Sequence, residues 1–302
     1  MVSNLTAQLY LGDIPICPEA DMDCGSCIQV TDNAVIESVS FNTETFNNLV
    51  LVNDYIFPDS SISYDIYTNS GIISNYFNSS NDTQLLLHMN GASGSTTFTD
   101  SSSNNLTAIP TGNVKISTAQ SKFDGASAYF DGSGDFLYYT SGNNSDIFNV
   151  GSGDFTMEAF IRLDNITGTK VIFSKRANIS TFGGFCLQMN GAFLECVATN
   201  NGSSWGANFN SSPTQLSANT WYHIALTKHI GGFSLFINGS GIVTNNNFNF
   251  NILTNTSNAV IGAGSASGSQ EFAGYIDEFR FIKNVAIYGP NNFTVPTGAF
   301  SP

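Results

Sequence analysis

Asn219-Thr-Trp221-Tyr-His223-Ile-Ala-Leu-Thr-Lys228, then Phe233-Ser-Leu-Phe-Ile-Asn238-Gly239, and later Gly274-Tyr-Ile-Asp277-Glu278-Phe-Arg280-Phe-Ile-Lys283 carry the reading of this chain. Each alternates apolar and polar residues and is bounded by Gly or Asn. That is the pattern of an antiparallel strand with one face on a core. Outward from these stretches the same pattern recurs at Gln84–Met89, Ala128–Phe130, Phe136–Tyr139, Phe155–Leu163, Lys170–Lys175, Phe185–Met189, Phe193–Ala198 and Ala259–Gly262. So many short strands with turn residues between them predict a two-sheet sandwich or jelly roll.

Composition agrees. Of 302 residues 41% are hydrophobic, 13% aromatic and only 11% charged, so a packed core is expected and disorder is not. Asn, Ser, Thr and Gly supply the polar surface, and these residues compete with helical backbone bonding. The fold class expected is all-β.

Charge divides the chain. Residues 1–84 hold eleven of the 23 acidic residues and no Lys or Arg, whereas all nine basic residues lie at or beyond Lys115. The break predicts two units, a small acidic β-rich one over 1–84 and a larger one over 85–302. Strand candidates in the first are Gln8–Leu11, Cys27–Val30, Ala34–Phe41, Leu49–Ile56, Ser63–Tyr67 and Gly71–Tyr76. The absence of a basic footprint argues against nucleic acid as a partner. No charged n-region with an apolar core opens the chain and no run of about 18 apolar residues occurs, so neither a signal peptide nor a membrane span is expected.

The cysteines are Cys17, Cys24, Cys27, Cys186 and Cys196, an odd number that argues against a disulfide framework. Cys24-Gly-Ser-Cys27 has redox spacing without the strand–helix context of a redox site, and with Cys17 it falls one ligand short of structural zinc. Cys186 and Cys196 flank a hairpin in which an Asn190-Gly191 turn pairs Met189 with Ala192 and Phe185 with Cys196. The two thiols then point to opposite faces and stay unbonded.

Six segments occur in a telling order: Phe130-Asp-Gly-Ser-Gly-Asp135-Phe-Leu, Asp154-Phe-Thr-Met-Glu158-Ala-Phe-Ile, Trp221-Tyr-His223-Ile-Ala-Leu, Leu235-Phe-Ile-Asn238-Gly239, Ala259-Val-Ile-Gly262 and Gly274-Tyr-Ile-Asp277-Glu278-Phe-Arg280. Together they resemble the laminin G-like branch of the concanavalin A-like jelly rolls, over roughly residues 85–283. Phe160 stands where that family usually has Trp and Phe279 where it usually has an aliphatic residue; both stay apolar. The tail, Asp277-Glu-Phe-Arg-Phe-Ile-Lys-Asn-Val-Ala-Ile-Tyr288-Gly-Pro-Asn-Asn-Phe293-Thr-Val-Pro296, is similar to the ending of such domains in bacteriophage proteins. The resemblance implies a virion structural protein, as a fibre, capsid decoration or adhesin on the particle surface. Residues 1–84 would contact other virion proteins, the chain would assemble as a homo-oligomer, and the jelly roll would face host glycans. A surface or secreted lectin module and a glucan-active enzyme are the alternatives.

Candidate chemistry is sparse. Trp221 and His223 share a strand face, and the resemblance implies a core Trp beside a satisfied His. Asp277 and Glu278, as strand neighbours, are expected on opposite faces and unable to act as a carboxylate pair. The Glu-x-Asp-x-(x-)Glu run of related glucan hydrolases is missing, and Glu158 and Asp164 do not replace it, so no catalytic residue is assigned. Asp131 and Asp135 with Asp277 offer a calcium site, against the alternative that they serve turns. Glu19, Asp21 and Asp23 alternate but lack the remaining features of a calcium loop. No other cofactor is implied. Trp205, in Asn200-Asn-Gly-Ser-Ser-Trp-Gly-Ala-Asn, is the ligand-binding candidate: a loop Trp amid amides can stack on a sugar ring.

Overall fold

The computed structural model describes residues 10–11, 14–15, 35–41, 44–50, 82–140, 146–229, 232–245, 250–289 and 292–301. The chain divides into two compact units, Met1–Tyr76 and Phe77–Pro302. In the first, β1 (Tyr10–Leu11) pairs with β2 (Ile14–Pro15), and β3 (Val35–Phe41) with β4 (Glu44–Val50), both antiparallel. The second hairpin places its return strand earlier than the expected Leu49–Ile56. The expected strands Cys27–Val30, Ser63–Tyr67 and Gly71–Tyr76, the thiols Cys17, Cys24 and Cys27, and the Glu19/Asp21/Asp23 alternation lie outside the described residues.

The second unit is a sandwich. Its strands are β5 (Thr83–Leu87), β6 (Ile109–Thr111), β7 (Lys115–Ser117), β8 (Ser127–Asp131), β9 (Phe136–Tyr139), β10 (Phe155–Leu163), β11 (Thr169–Ser174), β12 (Phe185–Asn190), β13 (Phe193–Ala198), β14 (Ala207–Asn210), β15 (Trp221–His229), β16 (Gly232–Ile237), β17 (Ser240–Asn245), β18 (Ala259–Ile261) and β19 (Ala273–Lys283). An eight-stranded sheet runs β17-β16-β15-β10-β19-β8-β7, with β5 also on β19; a seven-stranded sheet runs β14-β13-β12-β11-β18-β9-β6. Every pairing is antiparallel. The fold is the all-β jelly-roll sandwich expected. Among the described residues no helix is long and apolar enough to cross a membrane.

Period-two alternation decides which side chains meet between the sheets. On β10, Phe155, Met157, Ala159, Ile161 and Leu163 point into the core, while Thr156, Glu158, Phe160 and Arg162 point outward. Phe155 and Phe281 from one sheet meet Phe173 and Phe185 from the other, with ring centroids 5.0 Å apart for Phe155–Phe185 and 6.4 Å for Phe173–Phe281. Each such ring, fully withdrawn from water, stabilises the sandwich by roughly 1.5–3 kcal/mol.

Two turns set hairpin registers. Asn238 (φ 50°) and Gly239 (φ 73°) form the two-residue connection between β16 and β17, with both residues left-handed as a type I′ turn requires. Between β12 and β13 the connection is Gly191-Ala192, not Asn190-Gly191. Only its first residue, Gly191 at φ 59°, has positive φ, as in a type II′ turn. Leu187 therefore faces Cys196, and Cys186 faces Val197. The register differs by two residues from the one expected, which preserves facing. Cys196 points into the core, Cys186 points outward, and both thiols are free.

The departure that matters most lies on β19. Against β10, Glu158 pairs with Arg280 but Phe160 pairs with Asp277, so β19 carries one extra residue. Glu278 absorbs it with φ 51°, an unusual conformation for a side-chain-bearing residue. Ile276 and Phe279 both point into the core. Asp277 and Glu278 therefore both turn outward, contrary to the expectation from simple alternation.

Candidate functional site

Two regions gather chemistry-bearing side chains: the outer face of the eight-stranded sheet and the loops around Trp205.

On the sheet face, Glu158 of β10 is fully buried. Its Oε1 accepts from Arg280 Nε (2.9 Å) and Nη2 (2.6 Å) of β19. Its Oε2 lies 3.0 Å from His223 Nε2 of β15 and accepts from the Tyr288 hydroxyl at 2.7 Å. Burial alone would raise the pKa of this carboxyl. The Arg280 guanidinium and the hydrogen bonds from His223 and Tyr288 outweigh it and hold the pKa at about 2. Glu158 is thus a permanent carboxylate with both oxygens occupied.

The C-terminal segment seals this network. The Tyr288 and Phe293 rings stack, 3.5 Å between centroids, and Phe293 meets His223 and Phe236 edge-on at 5.6 and 5.2 Å. Phe300 packs on Phe160 at 5.8 Å. Backbone bonds pin the segment: Phe293 N to Gly239 O and Phe300 N to Glu278 Oε2, each at 2.8 Å. Arg280 Nη1 also donates to Ser301 O. A side chain on Gly239 would overlap the Phe293 carbonyl oxygen, so glycine is required there for the approach as well as for the turn.

Beside this network, both oxygens of Glu278 lie 2.9 Å from His88 Nδ1, and His88 is pushed up by that hydrogen bond against the opposing effect of burial. Asp277 Oδ2 accepts from the backbone N–H of Lys122 (2.7 Å) and Phe123 (3.1 Å). Its Oδ1 is buried with no partner among the described residues. Burial pushes Asp277 up to about 7, with the two backbone donors opposing and the Glu278 charge reinforcing the rise. His223 Nδ1 is likewise buried and unpartnered. Trp221, expected in the core, is instead half-buried under the C-terminal segment with Phe160 and Leu86, outside the inter-sheet core. The face is built to hold the C-terminal segment. It presents no open carboxylate pair.

The calcium grouping does not assemble. Asp135 accepts from Asn113 N (2.7 Å) and Asp131 N (2.9 Å), and Asp131 accepts from Ser133 N at 2.8 Å, which is turn chemistry. Asp277 is engaged at Lys122 and Phe123 instead. Among the described residues no group of three or more His, Cys, Asp and Glu could hold a metal ion.

Trp205 lies in the loop between β13 and β14 and packs over Val171, Cys186 and Val197 on the outer face of the seven-stranded sheet. Phe182, from the loop between β11 and β12, meets it edge-on at 5.1 Å. Among the described residues the exposed large hydrophobic side chains are Ile179 (45% exposed) and Phe182 (36%), both on that second loop. Side-chain acceptors shape the two loops: Asn201 Oδ1 takes the N–H groups of Ser203 and Ser204, and Asn178 Oδ1 that of Ser180. Sequence reading found Trp205 and missed Phe182, Ile179 and the neighbouring Arg176. Their only signal was a bulky ring between Thr181 and two glycines in Arg176-Ala-Asn-Ile-Ser-Thr-Phe-Gly-Gly.

No curated protein sequence matches the chain. Among solved structures it is similar to the binding domain of Paraclostridial Mosquitocidal Protein 1, at 16% identity and a TM-score of 0.54, covering 68% of this chain and 50% of that one. It is similar to the binding domain of botulinum neurotoxin DC in complex with SialylT, at 17% identity and 0.51, covering 68% and 49%. It also resembles domain 4 of AbnA, an extracellular arabinanase from Geobacillus stearothermophilus, in complex with arabinotriose, at 16% identity and 0.50, covering 69% and 95%. The chain spans about half the length of the two toxin binding domains, and at these identities the likeness is one of fold. A family model described as the concanavalin A-like lectin/glucanases superfamily matches residues 131–286. That match runs from the end of β8 through β19 to the start of the C-terminal segment, and the chain belongs to the concanavalin A-like lectin/glucanase superfamily.

Proposed function

We propose that the jelly roll is a non-catalytic glycan-binding module, with Trp205 and Phe182 as its aromatic platform, displayed on a bacteriophage particle. One observation carries the binding reading. The exposed large hydrophobic side chains of the described residues converge on one loop, beside a Trp, in surroundings of Asn, Ser and Gly. An aromatic face meets the apolar face of a sugar ring, and short polar loops meet its hydroxyls. The arabinotriose and SialylT complexes of fold-related domains are consistent with such a ligand. Against catalysis, Glu158 is locked in four hydrogen bonds beneath the C-terminal segment, out of reach of a substrate.

The particle setting rests on the Asp277–Pro296 ending and on the acid-only residues 1–84. In this reading residues 1–84 dock on other virion proteins, the chain is a homo-oligomer at the virion surface, and the module faces the host.

A glycan array probed with the full chain tests the binding. Retention of at least one oligosaccharide is expected, with Trp205→Ala weakening it about tenfold or more, equivalent to about 1.4 kcal/mol. Wild-type protein that retains no glycan, or a Trp205→Ala variant that binds equally well, overturns the reading. Loss of particle association on removing residues 1–84 tests the display.

A further inference from the structure

The chain has three arginines. Arg162 pairs with Asp164 at 3.4 Å and Arg280 with Glu158 at 2.6 Å. Arg176 is 4% exposed and has no carboxylate partner among the described residues. Its Nε donates to Gly264 O at 2.8 Å and its Nη2 to Gln270 Oε1 at 2.6 Å, both neutral acceptors. A guanidinium withdrawn from water without a counter-charge is costly to keep. If Arg176 served only to tie the 262–272 loop to β11, a neutral donor would do so at lower cost.

Its position suggests what the charge is for. A Cβ on Gly264 would sit 2.8 Å from Ile179 Cγ2 and 2.9 Å from Arg176 Nη2, so the guanidinium and the exposed Ile179 both border Gly264. A Cβ on Gly183, the chain neighbour of Phe182, would sit 3.2 Å from Arg176 Cβ, which places Arg176 beside the loop that carries the platform. The unpaired cation and the aromatic platform therefore belong to one patch. The neutral acceptors occupy the Nε–Nη2 edge. The Nη1–Nη2 end of the fork is left, and it has the geometry to take a planar carboxylate through two parallel hydrogen bonds. A second cation to favour a phosphate is not offered, because Lys175 directs its Nζ to the Asn255 and Ser257 carbonyls.

We infer that the patch selects acidic sugars: Arg176 takes the carboxylate of a uronic-acid or sialic-acid ring whose apolar face rests on Phe182 and Trp205. This rests on the glycan-binding reading and narrows it. Ile179, which is exposed, turns aside to admit the carboxylate. No covalent step is involved.

The test titrates the full chain with trigalacturonate, its methyl ester, sialyllactose and lactose. Preference for trigalacturonate over its ester assigns a uronate, and preference for sialyllactose over lactose assigns a sialoside. Either preference, at about tenfold or more and shrinking as salt rises from 50 to 500 mM (roughly one Debye regime to the next), supports the inference. Arg176→Gln should abolish the preference, bringing the charged and neutral members of the pair to equal affinity. If that variant does not fold, the wild-type comparison of acid with ester still decides. Equal affinity for the charged and neutral members overturns the inference while glycan binding stands. No binding to any of the four, together with an empty array, overturns both.

Discussion

The two outer faces of the sandwich treat charge in opposite ways. Over the eight-stranded sheet Arg280, His223 and Tyr288 occupy both oxygens of Glu158, and the chain's own C-terminal segment covers them. Over the seven-stranded sheet Arg176 has no carboxylate partner among the described residues, and Ile179 and Phe182 stay in water. On the first face the charged pair is committed to the fold; on the second a cation retains capacity for a ligand. Lesions on the first face should therefore cost stability and spare binding, and lesions at the second should do the reverse.

The largest effect expected is from Glu158→Ala. It leaves the mostly buried Arg280 without its counter-charge and strips partners from His223 and Tyr288. Breaking one side of a buried pair costs about 3–5 kcal/mol. Urea unfolding measures it, and a loss below about 1 kcal/mol would mean that the network does not hold this face together.

Next is Gly239→Ala. The substitution forces an alanine into φ 73° and drives its methyl into the Phe293 carbonyl. The left-handed conformation alone costs about 1–2 kcal/mol, and displacement of the C-terminal segment adds to it. Faster amide exchange confined to residues 286–301 and the β16–β17 hairpin is the expected signature. Unchanged exchange there would detach the segment from the fold's stability. Glycan binding should survive both variants; its loss in either would break the contrast between the two faces.

What could be read from the sequence follows from what has a period. Phe136–Tyr139, Phe155–Leu163 and Phe193–Ala198 end where alternation ends, and the observed strands share those bounds. β6, β7 and β14 were missed because they are short and offer only Ile109, Ile116, Ala207 and Phe209 as apolar signals beside Thr, Lys, Ser and Asn, whereas the equally short β9 and β18 are wholly apolar; β17 begins with Ser240-Gly241. The Asn238-Gly239 signal was visible without its return strand. Outward facing of both Asp277 and Glu278 had no sequence signal, since a bulge centred on a left-handed glutamate replaces the glycine that usually marks one. Tyr288, Phe293 and Pro296 stood out as an ending, but which face an aperiodic tail covers is a tertiary fact. Arg176 and Phe182 lie in a loop, where neither period nor propensity speaks, and Trp205 was noticed only because a tryptophan among amides is rare.

The smallest effect is a pH slope, and it discriminates within the sealed face. Glu158 is held at about 2, below its usual 4.5, so its stabilisation is complete above pH 4.5 and lost as pH falls toward 2. Asp277 runs the other way. Its folded carboxyl titrates at about 7, against 3.8 unfolded, so the folded state keeps a proton that the unfolded chain releases. The stability it contributes is complete below pH 4 and drains away between pH 4 and 7. The substitution Asp277→Asn would reproduce the protonated side chain, with an oxygen for the Lys122 and Phe123 amides and an NH₂ in place of the buried hydroxyl. The wild-type stability minus that of Asp277→Asn should therefore fall by at least about 1.4 kcal/mol, one pKa unit's worth, from pH 4 to pH 7. Thermal unfolding of both proteins across that range reads it. Parallel curves would mean that Asp277 stays ionised when folded, with water or a cation at Oδ1. The face would then no longer be sealed, and the contrast with the Arg176 patch would lose its basis.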